Sequence, residues 1–268
     1  MMTSTFTFFN HAGGVGKTSA TRDFGFELAN RGFKVLLVDF DAQGNLTSFL
    51  GADKSRLSVS DTLLAALMED RVREIPSKLP QTISVHGMDL YPATIDLARA
   101  EVQLIAKLGR EQRLANVLAQ VPETYDYVLI DSPPSLGTLT INALVAADAV
   151  ISPVTTSFKA VDGLPGLMQM IDELKQIKPS LGFAAFLPTM YDQRNRHDVE
   201  ILESLQEQLS PIAPLLPTLR YRPADHKDAS IEGKPVGVYS PNSHAAADMR
   251  AAVDSFLKHR ETREEARS

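Results

Sequence analysis

The chain has 268 residues, 44% apolar, 22% charged and 7% aromatic, an ordinary globular composition with length for a large core. It contains no Cys, which excludes disulfides, thiolate metal sites, iron–sulfur clusters and Cys nucleophiles. The net charge of −6 gives no general pull towards nucleic acid, but residues 216–268 hold 9 basic against 8 acidic side chains, leaving room there for a modest basic patch.

No apolar run approaches the roughly 20 residues that span a bilayer. The apolar start, residues 3–10, lacks a basic flank and runs into a Gly-rich loop, so it does not read as a signal peptide. In chain order, residues 4–10 read as a strand and 18–31 as a helix. A strand at 34–40 and a helix at 62–70 follow. Next come a strand at Met88–Tyr91, helices at 96–108 and 111–119, and a strand at Tyr127–Asp131. A helix at 139–146 leads to a strand at 149–153, a helix at 163–177 and a strand at 182–189. The chain closes with a helix at 198–209, a short strand at 214–219 and an Ala-rich helix at 242–263. Strand–helix alternation without a long linker or repeat predicts one α/β domain over 1–268, a doubly wound, mostly parallel sheet. The first strand is expected almost at residue 1, so no N-terminal DNA-reading domain is expected within these residues.

The first strand leads into His11-Ala12-Gly13-Gly14-Val15-Gly16-Lys17-Thr18 and then a helix. Small residues let backbone N–H groups wrap phosphates, and the helix N-terminus adds positive potential. Lys17 is placed to reach phosphate oxygens and the Thr18 hydroxyl to meet Mg²⁺. The general P-loop pattern has Gly where this chain has His11. The next strand ends in Asp39-Phe40-Asp41-Ala42-Gln43-Gly44-Asn45. Two acids two apart on a strand share a face, at the strand end where open α/β sheets bind ligands. One would enter the metal shell and the other orient a water. Asp131 ends a third apolar strand and suits a water-mediated Mg²⁺ contact.

The loop, residues 39–45, 131–137 and 140–148 together resemble the ParA/MinD family of deviant Walker-box ATPases, over roughly residues 4–255. Residues 91–97, 188–192 and 232–235 are similar to further landmarks of that family. The resemblance implies a P-loop NTPase of the deviant Walker A type, of the small kind without an N-terminal helix-turn-helix. It implies ATP and Mg²⁺ as cofactors, an ATP-dependent sandwich homodimer and non-specific double-stranded DNA binding. Hydrolysis would be slow until stimulated by a ParB-like or McdB-like adaptor on a plasmid, a chromosome origin or a carboxysome-like body. The location implied is the cytoplasm, on the nucleoid.

By position, the resemblance makes Ala12, Gly13, Gly14, Val15, Gly16, Lys17, Thr18 and Ser19 the phosphate loop, with Met190 and Arg220 at the nucleotide. Asp41 matches the acid that positions the attacking water. Asp131 matches the Walker B acid, and Thr18, Asp39, Asp41 and Asp131 surround the metal. Arg194, Arg196, Arg222 and Lys227 are the DNA-contact candidates. The family's signature lysine is replaced by Ala12, as it is in a subgroup of relatives that position carboxysomes. Lys159, just past a strand end, is the expected replacement cation. Alternatives are a metabolic P-loop enzyme of the same fold and a membrane-cycling MinD-like regulator. The mixed-charge tail, with pairs such as Arg260–Glu264, opposes the membrane reading.

Overall fold

The computed structural model describes residues 3–69, 79–122 and 124–265. The expected helix end at Asp70 and the expected Arg260–Glu264 pair fall outside the described residues and side chains.

The chain forms β1 (Ser4–Phe8), α1 (Lys17–Ala29), β2 (Val35–Asp39), α2 (Asn45–Phe49) and α3 (Leu64–Met68). Then come β3 (Ile83–Val85), β4 (Met88–Tyr91), α4 (Ala98–Gln103), α5 (Arg113–Leu118), β5 (Tyr127–Asp131) and α6 (Thr138–Ala146). The last third is β6 (Ala149–Thr155), α7 (Phe158–Leu174), β7 (Phe183–Thr189), α8 (Arg196–Leu209), α9 (Pro223–Ile231), α10 (Val236–Tyr239) and α11 (His244–Glu265). The strands make one seven-stranded sheet in the order β3-β4-β2-β5-β1-β6-β7. Every pairing is parallel except the β3–β4 hairpin at one edge.

The central strands are apolar runs because both sheet faces are covered, and every residue of β2 and of β5 is buried. Period-two alternation divides them. Leu37 and Leu129 face α1 and α11, whereas Leu36, Val38, Val128 and Ile130 face the layer of α3 to α6. In α1, Ala20, Phe24 and Leu28 recur every four residues and lie on the sheet. Phe256 of α11 meets Phe6 and Phe24 edge-on, with ring centroids 5.3 and 5.1 Å away. Among the described residues no helix is long and apolar enough to cross a membrane.

Four local expectations change. Residues 214–219 form no strand: they make one isolated bridge, at Leu215, with a second just beyond at Arg220, because Pro214 and Pro217 have no N–H for a ladder. The helix expected from 163 starts at Phe158 and carries Pro165 inside it. Burial of Leu164, Leu167, Met170, Ile171 and Leu174 along one stripe outweighs the proline's missing donor. The β3–β4 hairpin was not expected. Its turn is His86-Gly87, both with positive φ (48° and 80°), as a two-residue hairpin turn requires. Nor was α9 expected: only Ala229 in it is buried, so no apolar stripe marks it.

Candidate functional site

From β1 the chain passes to β2 and β4 on one side, returns to insert β5 between β2 and β1, and then runs to β6 and β7 on the other side; the change of direction opens a crevice at the carboxyl ends of the strands. Register sets Phe8 and Asp39 on either side of Asp131, so the loop after β1 meets the ends of β2 and β5. A cavity of about 670 Å³ lies there. Gly13, Gly14, Gly16, Lys17, Thr18 and Ser19 line one side, and Asp41, Gln43, Glu101, Ser132 and Met190 line others.

Gly14 and Gly16 have φ of 74° and 86°, a left-handed backbone that an L side chain resists. They curl the loop onto the start of α1. That helix has no side-chain cap and no acid in its first turn, so its leading N–H groups are available to an anion. The loop is braced on three sides. Asn10 Oδ1 accepts from the Ala12 N–H (3.0 Å), Asn10 Nδ2 donates to the Pro153 carbonyl (2.8 Å), and Thr189 Oγ1 donates to the Val15 carbonyl (3.0 Å). Lys17 Nζ donates to the carbonyls of Asn10 (2.9 Å) and Ala12 (2.8 Å). Burial lowers the Lys17 pKa, while the charges of Asp131 and Asp41 oppose the shift.

Asp131 is buried, and neither carboxylate oxygen has a partner at hydrogen-bond geometry. Burial pushes its pKa well up and the charge of Asp39 adds to this; the Thr18 hydroxyl and Lys17 pull it down. A buried, unmet carboxylate beside a hydroxyl at the head of an anion-binding helix fits a hydrated divalent cation.

Asp39 and Asp41 do not share a face as expected. β2 ends at Asp39 and Asp41 lies in the following turn, so strand geometry does not relate them. Asp39 points inward, where Oδ2 accepts from the Thr47 N–H (2.8 Å) and Thr47 Oγ1 (2.6 Å). Burial raises it to about 6 despite those bonds. Asp41 lines the cavity, and its Oδ1 accepts from the Gln43 N–H at 2.9 Å.

The remaining site candidates divide. Met190, held at φ 58°, lines the cavity. Ala12 and Val15 belong to the loop but do not line the cavity, and Val15 is buried. Arg220 is not brought to it: its guanidinium grips Asp248 of α11, with Nε 2.9 Å from one oxygen and Nη2 2.5 Å from the other. Lys159 is exposed in the first turn of α7 and makes no ion pair among the described residues. The turn after β7 gathers Arg194, which clasps Asp192 through Nε and Nη2. Arg196 pairs with Glu200. Arg222 and Lys227 are exposed and make no ion pair among the described residues, although the Arg222 charge reaches Asp192. Sequence reasoning missed Phe49, Ala98, Glu101 and Leu139 in the cavity wall. Their positions carry no local motif, and only the packing of α4 against α6 brings two of them there.

A family model described as an AAA domain matches residues 3–183. The chain is 39% identical over 260 residues to a probable plasmid-partitioning protein ParA of Thermus thermophilus, covering 94% of this chain and 78% of that protein. It is 37% identical over 238 residues to the sporulation initiation inhibitor protein Soj of Bacillus subtilis, covering 88% and 91%. A crystal structure of cobyrinic acid a,c-diamide synthase from Mycobacterium smegmatis, with bound ADP and magnesium, is similar at TM-score 0.81 and 34% identity, covering 97% and 96%. Fold and site together define an ATP-hydrolysing P-loop enzyme of the deviant Walker A type, with ATP and Mg²⁺ as cofactors. The chain belongs to the ParA/MinD family of ATPases. Its kinship supports a general role in ATP-driven partitioning or positioning.

Proposed function

We propose that this ATPase positions or segregates a cargo by cycling between an ATP-bound homodimer on non-specific DNA and a free form. The observation that carries this reading is the identity, over 94% of the chain, to a protein named for plasmid partitioning, together with a phosphate loop that lines the cavity. The cycle places the protein in the cytoplasm, on the nucleoid. A ParB-like or McdB-like adaptor on a plasmid, chromosome origin or carboxysome-like body would trigger release.

Mg²⁺ and the phosphates supply charge neutralisation and an in-line target for water. Gly13 to Ser19 and the first turn of α1 hold the phosphates. Lys17 leaves the carbonyls of Asn10 and Ala12 and donates to phosphate oxygens instead. Thr18 and Asp131 hold the metal side, Asp39 backs them from inside, and Asp41 orients the attacking water. Met190 borders the adenine. Lys159 lies outside its own cavity, so we assign it to the partner's nucleotide across the dimer, in place of the cation missing at Ala12. Arg194, Arg196, Arg222 and Lys227 supply phosphate contacts that a dimer doubles.

Retention on random-sequence duplex DNA, with ATP–Mg²⁺ against ADP–Mg²⁺ across a salt series, tests this reading. Salt-sensitive retention with ATP alone supports it, and no retention in either state overturns it. The name of the M. smegmatis protein favours a second reading, ATP-driven amide formation on a carboxylic acid substrate. A burst of ADP release that requires such a substrate, without DNA retention, would decide for it.

A further inference from the structure

We propose that Glu101 is a positioning residue for hydrolysis, an internal anion that clamps the loop after Asp131 in place. Glu101 is on α4, and both carboxylate oxygens accept from the leading N–H groups of α6. Oε1 lies 2.5 Å from the Thr138 nitrogen and Oε2 3.1 Å from that of Leu139. Those donors have no intrahelical partners, and α6 starts with no capping side chain of its own. An acid from another helix thus fills the cap.

The cap matters because of what it holds. Residues 132–137 run directly from Asp131 to α6, and Ser132 to Ser135 with Leu139 line the cavity. The loop is tied at its first residue, where Ser132 Oγ donates to the Phe8 carbonyl (2.8 Å). Thr140 Oγ1 ties its middle by donating to the Ser135 carbonyl (2.5 Å). Glu101 ties its far end, and Glu101 itself lines the cavity. Two helix N-termini therefore face this crevice. That of α1 is open to phosphates, and that of α6 is already filled by a carboxylate. Glu101 leaves the α1 terminus as the place for the polyphosphate and fixes the wall continuous with the metal-side acid. Phosphate binding rests on the α1 loop, so removing the clamp should spare binding and slow chemistry.

Gly137 gives a second way to break the same contact. Its φ of −102° and ψ of −174° suit alanine, yet a Cβ there would sit 1.6 Å from Glu101 Oε1, and its three nearest atoms all belong to Glu101. Gly137→Ala therefore strikes the clamp without straining the backbone.

The test is steady-state ATP hydrolysis by the full chain with Mg²⁺, for Glu101→Ala, Glu101→Gln, Gly137→Ala and the Glu101→Ala/Gly137→Ala double variant. We expect Glu101→Ala and Gly137→Ala each to lower kcat about tenfold with KM for ATP within about twofold of the original. The double variant should be no slower than either single, because the clash partner is gone. Glu101→Gln keeps one acceptor and should fall between, and it carries the test if the alanine variant fails to fold. A kcat unchanged in Glu101→Ala, or a double variant whose loss is the product of the two singles, overturns the proposal. The readout is ATP turnover alone, so it stands or falls separately from DNA binding and cargo.

Discussion

Asp39 and Asp131 are register partners across β2 and β5, both buried, yet only the carboxylate of Asp39 makes hydrogen bonds at full geometry. Thr47 donates twice to Asp39, and Thr47 Oγ1 in turn accepts from the Ala93 N–H (2.9 Å), which locks that carboxyl into the core. Asp131 has no such partner. The asymmetry separates an acid tied into the core from one, buried at the end of β5 and behind the cavity wall, whose oxygens lack a hydrogen bond.

The pair makes the nucleotide-free protein less stable as pH rises. Asp39 is raised to about 6 and Asp131 is raised well above the usual range, in both cases chiefly by burial. Each keeps a proton in the folded chain at pH values where the unfolded chain has lost it. Their contribution is therefore complete below about pH 4 and lost as pH climbs through the folded values, with Asp39 worth at most about 3 kcal/mol. The thermal unfolding midpoint should fall between about pH 4 and 7, and Asp39→Asn should flatten that slope. Equal slopes in the two proteins would contradict the assignment.

Lys17→Ala should weaken ATP binding by at least about tenfold, since Lys17 is the basic side chain that lines the cavity at the phosphate loop. Titration with a fluorescent ATP analogue checks this. Affinity within twofold of the original would remove Lys17 from phosphate contact.

Asp41→Ala should separate binding from chemistry. Asp41 lines the cavity but takes no part in bracing the phosphate loop. ATP affinity should hold while turnover drops about a hundredfold. Parallel loss of both would make Asp41 a binding residue.

Lys159→Ala should cut single-turnover hydrolysis about tenfold at protein concentrations that give dimer, with little effect on ATP binding to the monomer. Its exposure in the first turn of α7 leaves it free to reach a second chain. A rate equal to the original excludes the cross-dimer role.

The four candidate DNA cations should rank by their partners. Arg194 and Arg196 are already paired with Asp192 and Glu200. Arg222→Ala and Lys227→Ala should lower retention on DNA more than Arg194→Ala or Arg196→Ala, each reducing the salt slope by about one. The reverse order would place the DNA on α8 instead of α9.

Much of the frame was legible. Apolar runs at β1, β2, β5 and β6 have the composition that a doubly covered sheet demands, and Tyr127–Asp131 has its observed bounds. The glycine spacing after β1 was legible because positive φ leaves few residues to choose from. Where side-chain burial was weak, as in α9, or proline interrupted a pattern, as at Pro165 and Pro214, local signals misplaced the element. Residues 39 and 41 show the same limit at the site: two residues past a strand end, the period-two rule no longer says where a carboxylate points.

Sequence alone determined the phosphate loop, the run of acids that end apolar strands and the absence of Cys chemistry, because each is a local pattern with a local physical cause. Tertiary structure decided which acid stays unmet and where each cation goes. Asp131 is set between Phe8 of β1 and Asp39 of β2 with its oxygens unbonded, Arg220 is withdrawn by Asp248 of α11, and Glu101 reaches α6 from α4. Charge and hydrogen-bond partners are long-range properties in the chain, so only folding assigns them.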